Sequence, residues 1–189
     1  MERIKSLIFF ILTPFLKILP YLGKPESRIT KKSVDDIINL ARSGDILLSH
    51  EDYRLSNIFI RDYYDHAAIV GLEKTVIEAV GTGVRIVDLE EWLYKKDAVA
   101  LIRVNCDELI SKEAATKAAT YVGKYYDTLF DFNEDKIYCS ELIYHSYKAF
   151  IDDFMKAYIK HKTIIPDDFY DAAEKKEYFT LLKDSELNT

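Results

Sequence analysis

The stretch Asp65-His-Ala-Ala-Ile-Val-Gly-Leu-Glu-Lys-Thr-Val-Ile-Glu-Ala-Val80 contains two short runs of small and β-branched residues, His66–Val70 and Thr75–Val80, separated by Gly71-Leu-Glu-Lys74. Runs of this length and composition around a turn signal read as paired antiparallel strands. Each run carries one residue foreign to an apolar strand, His66 in the first and Glu78 in the second. The two are symmetric about Leu72. With an odd-numbered loop centred there, they oppose each other on one side of the sheet, Cβ atoms about 4.5–5.5 Å apart. With a two-residue loop they fall on opposite faces. A carboxylate amid apolar neighbours is costly to bury without a partner, and the imidazole supplies one. A structural ion pair is the plainer reading of the same pattern.

Working outward, Lys31 to Arg42 has apolar residues at Val34, Ile37, Ile38 and Ala41, a helical spacing ended by Ser43-Gly44. Asp45 to Ser49 is a short apolar run after that turn and reads as a strand. Asp52 to Tyr63 reads as a helix through Leu55, Ile58 and Phe59. After the central pair come the Gly81-Thr-Gly83 loop, a strand over Val84–Val87, a short helix over Asp88–Tyr94 and a strand over Ala98–Val104. The last third reads as helical: Ser111 to Val122 with Ser111 as N-cap, a long amphipathic helix from Cys139, and a helix start at Pro166. Tyr125 to Lys136 reads as an irregular loop. About five closely spaced strands with helices before and after make an α+β fold around an antiparallel sheet.

One domain is expected from 189 residues, of which 49% are hydrophobic and 31% charged, a composition that excludes a disordered chain. The net charge of −6 and the absence of a basic stripe argue against a nucleic-acid partner. Residues 1–28 form an apolar arm and linker, and 29–189 the domain proper. The arm, apolar from Leu7 to Leu22 but broken by Pro14, Lys17 and Pro20, is too short to span a bilayer and lacks a small-x-small cleavage site. An interfacial helix, an uncleaved anchor and a packing arm all fit. Membrane association or export through an uncleaved segment is favoured slightly over the cytoplasm, with contact through the arm.

Chemistry points to Cys139. The chain has two cysteines, Cys106 and Cys139, with neither a disulfide framework nor a CxxC pair. Cys139 opens the long helix, whose N-terminal N–H groups and dipole favour a thiolate and can receive an oxyanion. Cys106 follows a strand and reads as structural. Of the histidines, His145 lies six residues down the same helix, about 240° around it, and cannot share a cleft with the thiol. His161 sits between lysines. His66, held at a strand start and paired with Glu78, is the candidate base.

In combination, Ser43-Gly-Asp-Ile-Leu47, Asp65-His-Ala-Ala-Ile-Val-Gly71, Val76-Ile-Glu-Ala-Val80 and Gly83-Val-Arg-Ile86 resemble the strand block of NlpC-type papain-like hydrolases. The cysteine segment Tyr138-Cys-Ser-Glu-Leu142 follows the strands instead of preceding them, as in the circularly permuted branch that includes YiiX-like amidases and lecithin:retinol acyltransferase relatives. Glu78, Leu89-Glu-Glu-Trp-Leu93 and Ile165-Pro-Asp-Asp-Phe169 are most similar to the YiiX-like group.

The resemblance covers about residues 40 to 170. It implies a papain-like fold and a Cys-His-polar triad of Cys139, His66 and Glu78, working without metal or cofactor. Asp45 would shape the cleft floor or cap a turn, and Ser49 and Tyr138 would line the cleft. Ser49 stands where relatives often carry a larger polar residue such as Gln, which leaves a second oxyanion donor unassigned. The implied activity is amide hydrolysis on a small or peptide-like substrate through an acyl-thioester. A lipid-directed thiol hydrolase or acyltransferase at a membrane is the first alternative, and a binding module without turnover the second.

Overall fold

A computed structural model describes residues 29–51, 63–130, 135–155, 163–176 and 178–187. The apolar arm of residues 1–28, and all but the last residue of the helix expected over Asp52–Tyr63, lie outside them. The elements run α1 (Lys31–Leu40), β1 (Ile46–His50), β2 (His66–Val70), β3 (Thr75–Val80), β4 (Gly83–Asp88), α2 (Leu89–Leu93), β5 (Ala98–Val104), α3 (Glu108–Ala119), α4 (Cys139–Met155), α5 (Pro166–Glu174) and β6 (Phe179–Asp184).

The six strands form one antiparallel sheet in the order β4-β3-β2-β1-β5-β6. The expectation of about five is corrected by β6, an edge strand added by the last residues of the chain, beside β5. Its central residues are only half-buried and a bulge interrupts its pairing at Leu101/Ile102. Such an edge carries no clean alternation to betray it, and its Lys183 is of the kind that keeps edges from pairing further.

Local chemistry sets most helix starts. Thr30 caps α1 by accepting from the Ser33 N–H at 3.1 Å, and Asp88 caps α2 by accepting from Glu91 at 2.9 Å. Pro166 occupies the first position of α5, while the Asp168 carboxylate takes the Ile165 N–H at 2.9 Å. α3 begins at Glu108 after Asp107, so Ser111 is not its N-cap: the Ser111 N–H already bonds the Asp107 carbonyl.

Strand alternation divides the core. Ile46, Leu48, Ala67, Ile69, Ile77, Ala79, Ala100 and Ile102 face α3, α4 and α5. Leu47, Ala68, Val70, Val76, Val99 and Leu101 face α1 and α2, where Trp92 and Leu93 complete the packing. With both faces covered, the central strands are near-continuous apolar runs, which is why their ends were legible in the sequence.

At Gly44, φ is +93°, and a Cβ there would meet the Ser111 carbonyl oxygen and the Tyr147 hydroxyl at 2.5 Å each. Tyr147 donates to the Gly44 carbonyl at 2.7 Å, which fixes α4 to the start of β1. Gly44→Ala combines a left-handed backbone with a backbone clash, and should lower unfolding stability by about 1–3 kcal/mol. An unchanged midpoint in urea denaturation would contradict this account of the turn.

Candidate active site

β2 and β3 pair Ala68 with Glu78, Ile69 with Ile77 and Val70 with Val76. Their turn is therefore centred on Glu73, not Leu72. Gly71 and Thr75 close it by a 2.8 Å bond, and Glu73 and Lys74 take left-handed φ values of 53° and 58°. The correction shifts the register by two residues. His66 and Glu78 are diagonal neighbours instead of directly opposed, but an even shift keeps them on one face. Side chains of this length bridge a diagonal, and His66 Nε2 lies 2.9 Å from Glu78 Oε2 with both groups buried.

Glu78 is the hub of a larger arrangement. Its Oε2 also accepts from Trp92 Nε1 at 2.8 Å, and its Oε1 from Arg85 Nε and Nη2 at 2.9 and 2.7 Å. Burial, the largest influence, would raise its pKa. The hydrogen bond and charge of His66, the Trp92 N–H and the charge of Lys96 outweigh it and hold the carboxyl well below the usual range. Glu78 is therefore ionised and acceptor-only, so His66 Nε2 must carry a proton, and in the neutral ring the other nitrogen, Nδ1, would hold the lone pair.

Arg85, directly across from Glu78 in β4, and Trp92 were not recognised as site residues from the sequence. A two-residue turn at Gly81-Thr82 would have paired 78 with 85. Trp92 lies in the Leu89-Glu-Glu-Trp-Leu93 motif, but that motif does not name Glu78 as its partner, which it meets only because α2 folds back over the sheet. Lys96 is buried too: its Nζ is 4.4 Å from the Trp92 ring centroid and bonds Glu51 Oε1 at 2.5 Å.

A second imidazole–carboxylate pair stands at the same end of the sheet. His50 Nδ1 is 3.7 Å from Asp65 Oδ2, beyond hydrogen-bond range, and its ring stacks on Tyr63 at 4.8 Å. Separation alone makes His66–Glu78 the better-held imidazole.

Cys139 is the first residue of α4 and is buried in the core between the sheet and α3–α5. His66 projects to the opposite, α1–α2 face, by its alternation with Ala67 and Ala68. Backbone pairing carries the cysteine to the His66 end of the sheet. Extending the β2–β3 register sets His66 across from Val80, where β3 turns into β4. Just past that turn, the Val84 N–H bonds the Lys124 carbonyl and the Gly123 N–H bonds the Val84 carbonyl, each at 2.9 Å. The Ile137 N–H in turn bonds the Tyr125 carbonyl at 3.0 Å, and Cys139 follows two residues later. Within the first turn of α4, Glu141 is fully buried, accepting from the Tyr138 N–H at 3.3 Å and pairing with His145 at 3.1 Å.

The remaining expected residues separate. Asp45 immediately precedes the other end of β1, its carbonyl accepting from the Val70 N–H at 2.8 Å and its carboxylate from the Arg42 N–H at 2.8 Å and a two-pronged Arg103 at 2.9 and 2.7 Å. It caps the turn and ties β1 to β5, away from His66, and so does not form a cleft floor there. Ser49 is the Cα partner of His66, fully buried, its hydroxyl without a hydrogen-bond partner among the described residues. Tyr138 is buried against Phe130, and its hydroxyl accepts from the Ile164 N–H at 3.1 Å. Cys106 is half-buried, with its sulfur 3.4 Å from the Ser111 hydroxyl. Among the described residues no group of three or more His, Cys, Asp or Glu could hold a metal ion, and no helix is long and apolar enough to cross a membrane.

A family model described as permuted papain-like amidase enzyme, YaeF/YiiX, C92 family, matches residues 40–181. The crystal structure of the metalloprotein yiiX from Escherichia coli O157:H7 superposes with a TM-score of 0.58 at 20% identity, covering 75% of this chain and 96% of that one. That likeness extends to the permuted papain-like fold. No curated protein matches the sequence.

Because the Glu78 carboxyl is depressed in the folded state, its contribution to stability is present above the ordinary glutamate pKa of about 4.3 and is lost as pH falls below it. Glu78→Gln should cost about 2–3 kcal/mol at neutral pH and flatten the fall of Tm on acidification below about pH 4.5. Thermal melts across pH that lose stability equally steeply in both proteins would refute the assignment.

Proposed function

The chain belongs to the permuted papain-like amidase family, YaeF/YiiX, C92, and on that premise we propose that it is a cysteine hydrolase of amide bonds in small or peptide-like substrates, with Cys139 as nucleophile, His66 as base and Glu78 as the group that holds the base. The observation that carries the reading is the buried 2.9 Å bond between His66 Nε2 and Glu78. It fixes the tautomer, leaves Nδ1 as acceptor and supplies a counter-charge for the imidazolium.

The thiol proton passes to His66 Nδ1 as the sulfur attacks the carbonyl carbon. The first-turn N–H groups of α4, which have no intrahelical acceptor in any helix, are the donors suited to the resulting oxyanion. Collapse breaks the C–N bond, and the imidazolium gives its proton to the leaving amine, forming a thioester. Water then attacks, His66 takes its proton, and loss of the carboxylic acid product returns the proton to sulfur.

The reading requires the sulfur to meet Nδ1 around the start of β2, where His66 is the first strand residue. It routes no step through a metal. Both Glu78 oxygens are occupied by four donor atoms, one pair from a guanidinium, and His66 Nε2 is one of those donors. These groups do not fit a cation site.

A specific observation favours lipid-like acyl substrates as a second reading. Tyr125, Leu129 and Phe130, on the segment that pairs with the approach to Cys139, are 75%, 72% and 38% exposed. If they receive an acyl chain, kcat/KM for 4-nitrophenyl esters should rise with chain length, and Leu129→Ser should remove the rise.

The deciding experiment is alkylation by iodoacetamide at neutral pH, followed residue by residue by mass spectrometry. Cys139 should react at least about 10²-fold faster than Cys106. His66→Ala should abolish the difference, and His50→Ala should preserve it. Equal rates for the two thiols would end the catalytic reading and leave a binding module.

A further inference from the structure

Lys96 is 3% exposed, a rare position for an ammonium. Its neighbour Lys95 takes the ordinary one, an exposed pair with Glu91 one helical turn back. The chain turns at the end of α2, where the Lys95 N–H bonds the Trp92 carbonyl and the Lys96 N–H the Leu93 carbonyl. That turn lays the Lys96 side chain over the indole, with Nζ 4.4 Å from the ring centroid and 2.5 Å from Glu51 Oε1. A buried ion pair gains little stability over apolar residues of similar volume. Packing alone does not call for a charge here.

The indole is the link to the site. Trp92 Nε1 donates at 2.8 Å to Glu78 Oε2, the same oxygen that lies 2.9 Å from His66 Nε2. The indole and imidazole centroids are 6.5 Å apart, so two N–H groups converge on one acceptor atom. A cation on the face of an indole is attracted by the ring quadrupole, most strongly where water is excluded. The ammonium thus holds the ring in place, and its charge is among those that favour the ionised Glu78.

A buried carboxylate with no other partner would retain a neighbouring imidazolium strongly. His66 has to release its proton to the leaving amine in every turnover. An indole N–H on the shared oxygen and a cation behind the indole both oppose that retention.

We propose that Lys96 is a positioning residue of this site: its ammonium seats the Trp92 indole so that the indole N–H shares the Glu78 oxygen used by His66, which limits the carboxylate's hold on the imidazolium. The catalytic meaning of this rests on the cysteine-hydrolase reading, whereas the effect on the imidazole does not.

Among the described residues, the other charged or titratable groups at this end are Glu78 from β3, Arg85 from β4, Asp97 after α2, His50 and Glu51 at the end of β1, Asp65 beside His66, and Cys139 from α4. Replacing Lys96 by methionine removes a cation, frees the indole and leaves the Glu51 charge uncompensated. All three changes favour the imidazolium, so the sign of the effect is fixed.

The test follows the His66 ring protons by NMR across pH in the full chain carrying Cys139→Ala, which removes the coupled thiol. Lys96→Met should raise the imidazole pKa by about half a unit or more, and Lys96→Arg should keep it near its starting value. Trp92→Phe, which deletes the shared donor, should raise it too, and Lys96→Met added to Trp92→Phe should raise it further by less than it does alone. Melts establish that each variant is folded. Should Lys96→Met not fold, Lys96→Met/Glu51→Gln takes its place with the same direction expected, and should neither fold, Trp92→Phe decides. An imidazole pKa unmoved in the deciding variant overturns the inference.

With Cys139 intact, the limb of the kcat/KM profile for 4-nitrophenyl butyrate governed by His66 should move to higher pH by the same amount in Lys96→Met. Lower activity at every pH with that limb in place marks a merely structural lysine and overturns the positioning role. If Cys139 alkylates no faster than Cys106, the hydrolase reading falls and the imidazole titration stands. Selective alkylation beside an unmoved imidazole sinks only the role of Lys96.

Discussion

An ionised carboxylate without contact to water has to be surrounded by donors, because the desolvation of an unpaired ion costs several kcal/mol. Glu78 meets that demand with His66 from β2, Arg85 from β4 and Trp92 from α2. Four elements are thereby held to one group at one end of the sheet. The same satisfaction dictates the chemistry next to it. A carboxylate kept ionised can only accept, so the imidazole donates to it through Nε2. Arg85 is 53% exposed while Glu78 is 1%, so the neutralising charge reaches in from solvent and the desolvation cost falls mainly on the acid.

The order of elements in the chain creates a problem that the fold solves by close backbone approach. The strands bearing His66 and Glu78 come first, and the thiol arrives some seventy residues later. After α3 the chain crosses the start of β4, where Gly83 has φ +113° and a Cβ would sit 2.5 Å from the Lys124 carbonyl. Only with hydrogen at that position can Gly123 and Lys124 bond Val84. Ile137 then pairs with Tyr125, and α4 begins at the His66 end. Lys124, Ile137 and the exposed Tyr125, Leu129 and Phe130 all belong to this crossing segment and share one backbone support with Cys139.

Much of this was legible beforehand, and the exceptions share a cause. The boundaries of β2, β3 and β5 were readable because strands buried on both faces are unbroken apolar runs with polar ends. The β2–β3 register was not, since a three-residue loop using left-handed Glu73 and Lys74 leaves no glycine at its centre to mark it. The face shared by His66 and Glu78 survived the error because a two-residue slip preserves parity. β6 escaped notice because a half-covered edge needs no alternation. Asp45, attractive in its Gly-Asp setting, is consumed by Arg103, fifty-eight residues away, a partner no local pattern names.

Sequence alone determined what depends on neighbours along the chain: the strand runs, the proline start of α5, and the residue types able to form a thiol–imidazole–carboxylate set. Tertiary structure alone decided what depends on distance through space. It set the diagonal between His66 and Glu78, the recruitment of Arg85 and Trp92, the removal of Asp45 to the far end of β1, and the seating of Lys96 on the Trp92 ring. The physical reason is that periodicity and capping are governed by contacts a few residues apart, whereas a buried charge or a pocket is defined by whichever groups packing delivers to it.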